Sequence, residues 1–336
     1  MRSNVTRNWT AAILLAILAT SGDAAATSSS DAAVQFVRID ADSASNASPV
    51  AGFRRTSQQR RLVRRSHAHT AGLSRGENWL DLRSSVALVV DQDTEEVLFE
   101  KNGRAVLPIA SITKLMTAIV TMEADLDPDE LLQVTRSDVT IDKVRSRLRP
   151  GVRLKRSHAL QLALMSSENH AAQLLGRTYP GGVDAFVEAM NAMAQMLGMH
   201  ESRFVDPTGL SDENRSSPAD LVRLVKAAYE HSSIREYSTS DSLALPVGRR
   251  LVRYGNTNRL TSNPEWEIGL QKTGYISASG RCLVMQSVIE GQRVVMVLLD
   301  SVGKHSRLGD ANRIRNWIEA RRARLGETAR GSNSLM

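Results

Sequence analysis

Three short groups of residues could do chemistry together. In Ser111-Ile112-Thr113-Lys114 a hydroxyl and an amine stand three residues apart. On a helix that spacing places them on one face, a turn apart. Pro108 is read as opening this helix, which continues through Leu115, Met116, Ile119 and Met122. Unpaired N–H groups at its start could face a developing oxyanion, and the positive end of the helix dipole disfavours a lysine ammonium. A desolvated, neutral Lys114 could then take the proton of Ser111. Ser167-Glu168-Asn169 adds a second hydroxyl for proton shuttling and an amide for uncharged hydrogen bonding. Lys272-Thr273-Gly274 offers a cation and a hydroxyl to a substrate carboxylate, with a glycine where backbone must come close. Each group taken alone is common, and caps and turns use the same residues.

The surrounding elements must bring these groups together. Val86 to Val90 is an apolar strand, Asp91 to Thr94 a turn, and Glu96 to Glu100 an alternating strand, which together read as a hairpin. Cys282 to Ile289 and Arg293 to Leu299 read as a second hairpin around Glu290-Gly291-Gln292, with the Lys-Thr-Gly group preceding the strand that begins near Arg281. Between the hairpins the pattern is helical. Ser157 is read as an N-cap before Ala159 to Met165, and Val183 to Met196 and Ala219 to Glu230 follow as helices. A last amphipathic helix spans about Gly309 to Arg324. Short hairpin connections imply an antiparallel sheet. The expected fold class is therefore α/β of the α+β type, a central antiparallel sheet flanked by helices with an inserted all-helical subdomain. The cleft between the two parts is the natural place for a site.

The chain has 336 residues, 42% hydrophobic and 24% charged, an ordinary globular composition that excludes collagen-like and disulfide-scaffold classes. Its net charge of +7 invites a polyanion partner. Position answers the invitation. Residues 1–76 hold ten Arg and four Asp, while residues 77–336 hold 33 basic and 32 acidic side chains. A nearly neutral folded region argues against nucleic-acid binding. Residues 1–26 read as a signal peptide, with Arg2 and Arg7, the apolar run Ala11 to Ala19 and a cleavage site at Ala24-Ala25-Ala26. Residues 27–76 read as a disordered basic linker able to make weak contact with wall or membrane surface. Residues 77–325 are then the catalytic domain and 326–336 a flexible tail. Cys282, the single cysteine, reads as a small buried hydrophobe, and Met190, Met193 and Met196 as core filling.

The order of the three groups, with 56 and then 105 positions between their first residues, resembles the penicillin-recognising serine hydrolases, the superfamily of penicillin-binding proteins and serine β-lactamases. The sequence around them is similar to the low-molecular-mass D-alanyl-D-alanine peptidases. It includes Pro108 to Ala118, Met165 to Ala172, Asp206-Pro-Thr-Gly-Leu and Gln271-Lys-Thr-Gly-Tyr-Ile. That resemblance implies a β-lactamase/transpeptidase-like fold and a serine peptidase acting through an acyl-enzyme on Ser111, with Lys114 as base and Ser167 as proton relay. It implies that Asn169, Lys272, Thr273, Gly274 and Tyr275 bind substrate, with the Ser111 and Tyr275 N–H groups as the oxyanion hole. Arg307, after the last strand, stands where some members place a carboxylate-binding arginine. Implied partners are peptidoglycan peptide stems and β-lactam antibiotics as covalent inhibitors, in the periplasm, with no cofactor. The Ser-Glu-Asn form and the short stretch beyond Lys272 are most similar to the D-alanyl-D-alanine endopeptidases; carboxypeptidase action is the alternative.

No glutamate in the chain is followed four positions later by Asn, so the E-x-x-L-N water-activating pattern of class A β-lactamases is absent. A non-catalytic wall-binding protein is a further alternative. His170 is read as a polar residue on the cleft rim, and Asn256-Thr257-Asn258 as a turn. No pair of residues has zinc-binding spacing, and no metal is expected.

Overall fold

The computed structural model describes residues 66–73, 78–139, 146–248 and 250–333, with side chains through residue 324. The first helix, α1 (His67–Thr70), is capped by Ser66 and buries Ala68. It is followed by β1 (Ser84–Asp91) and β2 (Val97–Lys101). Every residue of β1 is buried because its alternating faces meet two cores. Val86, Leu88 and Val90 face the helical insert, and Ala87 and Val89 face the C-terminal helix.

The sheet runs β2-β1-β11-β10-β9, all antiparallel, with β9 (Glu267–Ile276), β10 (Gly280–Ile289) and β11 (Gln292–Ser301). The first hairpin and the last therefore meet at β1 and β11, Leu88 opposite Val297, as the sequence implies. The order leaves β9 on the edge.

The insert between β2 and β9 is mainly helical. It contains α2 (Lys114–Glu123), α3 (Arg156–Met165), α4 (Asn169–Arg177), α5 (Gly182–Met196), α6 (Pro218–Glu230) and α7 (Ser232–Thr239). Helix α2 is buried from Lys114 to Thr121, so it is apolar on nearly every side and forms the axis of the insert. Met190 and Met193 of α5 fill the core, as expected. The insert is not purely helical. It also carries three two-stranded ladders: β3 (Leu107–Pro108) with β6 (Arg215–Ser216), β4 (Leu131–Gln133) with β5 (Arg153–Lys155), and β7 (Ser242–Val247) with β8 (Arg250–Gly255).

Helix α8 (Ser306–Asn333) covers the other face of the sheet with Ala311, Ile314 and Ile318. Buried Asp310 pins it to β1, accepting from the Arg83 N–H at 2.9 Å and from the Ser84 N–H and hydroxyl at 2.8 and 2.6 Å.

Four local expectations change. Pro108 lies in β3 opposite Arg215, and a 3-10 turn over Ala110–Thr113 separates it from α2, because the Ile109 N–H is already bonded to the Asn214 carbonyl at 3.0 Å. Ser157 is not a cap; α3 starts at Arg156 after Lys155, and the Ser157 N–H bonds the Pro128 carbonyl at 2.9 Å. Helix α8 continues past Arg324 into the stretch expected to be a flexible tail. The linker expectation also fails at its end, since residues 66–73 pack on the domain. The His67 N–H bonds the Ala278 carbonyl at 3.0 Å, and Asn102 Nδ2 donates to the Leu73 carbonyl at 2.7 Å. The rest of the expected linker and the expected signal peptide lie outside the described residues. No helix among the described residues is long and apolar enough to cross a membrane.

Candidate active site

Three elements deliver the three motifs to one cleft of about 850 Å³ between the insert and the sheet edge. Ser111 rides on the 3-10 turn and Lys114 is the first residue of α2. Ala110, just before Ser111, has φ +48°, a sparsely populated conformation for a non-glycine residue, held by the packing around it. Ser167 lies in the turn between α3 and α4, also at positive φ (+58°), and Asn169 opens α4. This turn closes because the Glu168 N–H bonds the Leu162 carbonyl at 3.1 Å and the Glu168 side chain caps His170. Lys272, Thr273 and Gly274 lie inside β9 rather than before a strand. Edge strand β9 is polar enough in sequence to hide its character, yet Leu270 to Gly274 are buried against the insert.

Lys114 is fully buried, and its Nζ lies 2.9 Å from Ser111 Oγ, 2.7 Å from Asn169 Oδ1 and 2.6 Å from the Thr208 carbonyl. The last two can only accept. A neutral amine therefore spends its two N–H groups on them and turns its lone pair to Ser111, whose hydroxyl can donate. Burial lowers the Lys114 pKa to about 7, although Asp206 and Glu168 oppose the shift. Its ordinary value would leave almost none of the amine neutral near pH 7.

The Asp206-Pro207-Thr208-Gly209 loop makes that arrangement. Asp206 Oδ1 accepts from the Thr208 N–H and hydroxyl at 2.6 and 2.5 Å and from the Gly209 N–H at 2.8 Å; Oδ2 accepts from Asn214 Nδ2 at 2.7 Å. The carboxylate thereby sets the direction of the Thr208 carbonyl. Gly209, at φ +80°, presses on the Ser111 turn: a Cβ there would sit 1.9 Å from the Ala110 carbonyl oxygen. Gly274 is similarly enclosed, with a Cβ falling 2.9 Å from the Ile109 oxygen and 3.1 Å from the Ser111 nitrogen. Close approach of β9 to the Ser111 turn thus depends on glycine on both sides.

Lys272 is buried, and its Nζ donates to the Thr273 carbonyl at 2.9 Å. Burial pushes its pKa well down, and the charges of Lys114 and Arg307 push it further. Thr273 Oγ1 lies 2.7 Å from Thr257 Oγ1, and both residues line the cleft. Thr257 was expected only as part of a turn; its N–H bonds the Met165 carbonyl at 3.1 Å, fastening β9 to the end of α3. Arg307, at the start of α8, also reaches the cleft. Its Nη1 donates to the Gly274 carbonyl at 3.0 Å, while its buried Nε has no hydrogen-bond partner among the described residues. Tyr275 is 55% exposed at the mouth.

His170 is not on the rim. It is buried, with Nδ1 2.8 Å from the Leu148 carbonyl. Cys282 is buried too, and burial raises its pKa to about 11, so it is a packing residue rather than a nucleophile.

Residues 73–303 match the D-alanyl-D-alanine carboxypeptidase family of peptidases. The chain belongs to that family. It is a serine-type DD-peptidase. The D-alanyl-D-alanine endopeptidase of Pseudomonas aeruginosa is 45% identical over 242 residues, which is 71% of this chain and 78% of that one. The Escherichia coli protein of the same description is 43% identical over 242 residues with the same coverage. Among solved structures, a penicillin-binding protein from Listeria monocytogenes in its cefotaxime-bound form is similar with a TM-score of 0.64 and 27% identity, over 71% of this chain and 98% of that one. This chain, with its central antiparallel sheet and mainly helical insert, thus shares the fold of a penicillin-binding protein, as the motifs implied.

Proposed function

We propose that this protein is a D-alanyl-D-alanine endopeptidase that opens peptidoglycan cross-links through an acyl-enzyme on Ser111. The observation that carries the reading is the set of three contacts at Lys114, which aims a lone pair at Ser111, together with the burial that lowers its pKa to about 7. Lys114 takes the Ser111 proton as Oγ attacks the carbonyl of the penultimate D-alanine. The Ser111 and Tyr275 N–H groups receive the oxyanion. As the C–N bond breaks, Ser167 passes a proton to the leaving amine. Thr273 and Arg307 hold the carboxylate beside that amine, with Lys272 beneath them. The position of Arg307 in the cleft lining supports its part in this. Water then hydrolyses the ester and frees Ser111.

A terminal D-alanine and the D-centre of diaminopimelate both place a carboxylate beside the scissile amide. The same machinery therefore serves carboxypeptidase and endopeptidase cleavage, and the 45% and 43% identical relatives named as endopeptidases favour the latter. A β-lactam would acylate the same serine and be released slowly. Residues 1–26 would direct export to the periplasm, and the arginines of residues 27–65 would contact wall or membrane surface weakly.

Incubation of the purified protein with cross-linked muropeptides tests this. Wild type is expected to yield monomers and Ser111→Ala none. Release of D-alanine without monomers would assign a carboxypeptidase, and no product from either protein would leave a penicillin-binding wall protein.

A further inference from the structure

The catalytic cleft does not end at Tyr275. A second groove of about 580 Å³ shares Tyr275 and Ser277 with it and continues on the Arg307 side, between the β9–β10 turn and the loop from β11 to α8. Its cations are Arg281, whose guanidinium lies 4.6 Å from the centre of the Tyr275 ring, and exposed Lys304. Neither makes an ion pair among the described residues. The lining holds a single carboxylate, Asp300. It is buried and accepts the Ser85 hydroxyl at 2.7 Å, so it is turned away from solvent. Val302, 66% exposed, adds an apolar contact on the floor.

The groove is built before any ligand arrives. The Val302 N–H bonds the Arg83 carbonyl at 3.2 Å, and Ser306 Oγ bonds the Gly303 carbonyl at 2.9 Å, which ties down the β11–α8 loop. On the opposite side the wall is made by Ser66 and His69, part of the segment that docks on Ala278 through His67.

We infer that this groove is the subsite for the anionic peptide stem attached to the leaving amine of a cross-link. The inference rests on the endopeptidase reading, and direction follows from it. If Arg307 and Thr273 hold the carboxylate next to the scissile amide, the rest of the stem branches from the same carbon through its side chain, with the groove that adjoins the cleft at Tyr275 and Ser277 within its reach. A free D-alanine leaving group carries only a methyl on that carbon and never enters. A cross-linked stem continues, and its further carboxylates meet Arg281 and Lys304. The groove is therefore a selectivity element, since its binding energy is available to the larger substrate alone.

The test compares kcat/KM for a cross-linked muropeptide dimer with kcat/KM for D-alanine release from an uncross-linked pentapeptide, in the full-length protein. Lys304→Glu and Arg281→Ala should each lower the dimer-to-monomer ratio by about fivefold, through KM for the dimer, with the loss shrinking at high salt. Arg281→Lys should recover most of the ratio. The rate of penicillin acylation reports an intact nucleophile, and Lys304, wholly on the surface, guards against a folding defect at Arg281. A wild type that cleaves dimer, with ratios unchanged in both variants, overturns the subsite alone. A wild type that cleaves no dimer overturns the endopeptidase reading and the subsite with it.

Discussion

Asn169→Asp should move the pH dependence of acylation without removing the reaction. Asn169 Oδ1 lies 2.7 Å from the fully buried Lys114 Nζ. Wild-type Lys114, with its pKa at about 7, is a base that switches on across neutrality. The sign follows from the proton: the ammonium cannot accept from Ser111, so acylation falls on the acid side and is flat on the alkaline side. At pH 6 the neutral fraction is about one tenth, so the rate should be about tenfold below its plateau. A carboxylate in place of the amide favours the ammonium, and an opposite charge at this distance raises such a pKa by about 1–3 units. At pH 7 the neutral fraction then drops from about one half to between about one tenth and one thousandth, an acylation defect of about 5- to 500-fold. Raising the pH above the new pKa should restore most of it. Stopped-flow acylation by a fluorescent penicillin, measured from pH 5 to pH 10, reads the midpoint directly. A variant midpoint that stays near 7 would refute the reasoning. So would a uniform loss at every pH, which would mean that Asn169 positions substrate and has no influence on the lysine proton.

Two further outcomes follow from the packing around Ser111. Gly209→Ala would put a Cβ 1.9 Å from the Ala110 oxygen at φ +80°; a loss of about 3 kcal/mol or more, roughly 6–12 °C in Tm by calorimetry, is expected together with slow acylation. Thr257→Val removes the hydroxyl that meets Thr273 Oγ1 at 2.7 Å. It should leave Tm within about 1 kcal/mol of wild type while raising KM for carboxylate-bearing peptides about three- to tenfold, and an unchanged KM would show that Thr273 needs no such support.

The residues proposed to have direct chemical roles were legible because the proposed reaction restricts their types and their local spacing. Ser111 and Lys114 are one helical turn apart in any fold that keeps the turn, and they meet at 2.9 Å. The hairpins at the two ends were legible from alternation and from Glu290-Gly291 at the tight turn. Strand β9 was not, because its sequence around Gln271-Lys272-Thr273 is polar where the strand is buried. These side chains find partners in the insert, such as Ser238 for Gln271 Nε2 at 2.6 Å, and only the assembled fold supplies them. His170 misled for the same reason: beside a cleft motif it reads as a rim residue, yet its partner is the Leu148 carbonyl, 22 residues away.

The amino-acid sequence by itself determined the proposed nucleophile and its proposed base, the order of the three motifs and the neutrality of the folded region. Each of these depends on residue type or on separations of a few positions. Tertiary structure alone decided that the lysine titrates about 7, because that shift is a desolvation effect summed over everything packed around Nζ. It decided that Thr208 and Asp206 orient Lys114, that Thr257 meets Thr273, and that Arg307 reaches the Gly274 carbonyl across the sheet edge. It also brought residues 66–73, which read as spacer, to the wall of a groove beside Tyr275. Apart from the local Asp206–Thr208 bond, these bring together positions from about 16 to more than 200 residues apart, and no local pattern encodes a distance that closes only when both hairpins pair into one sheet.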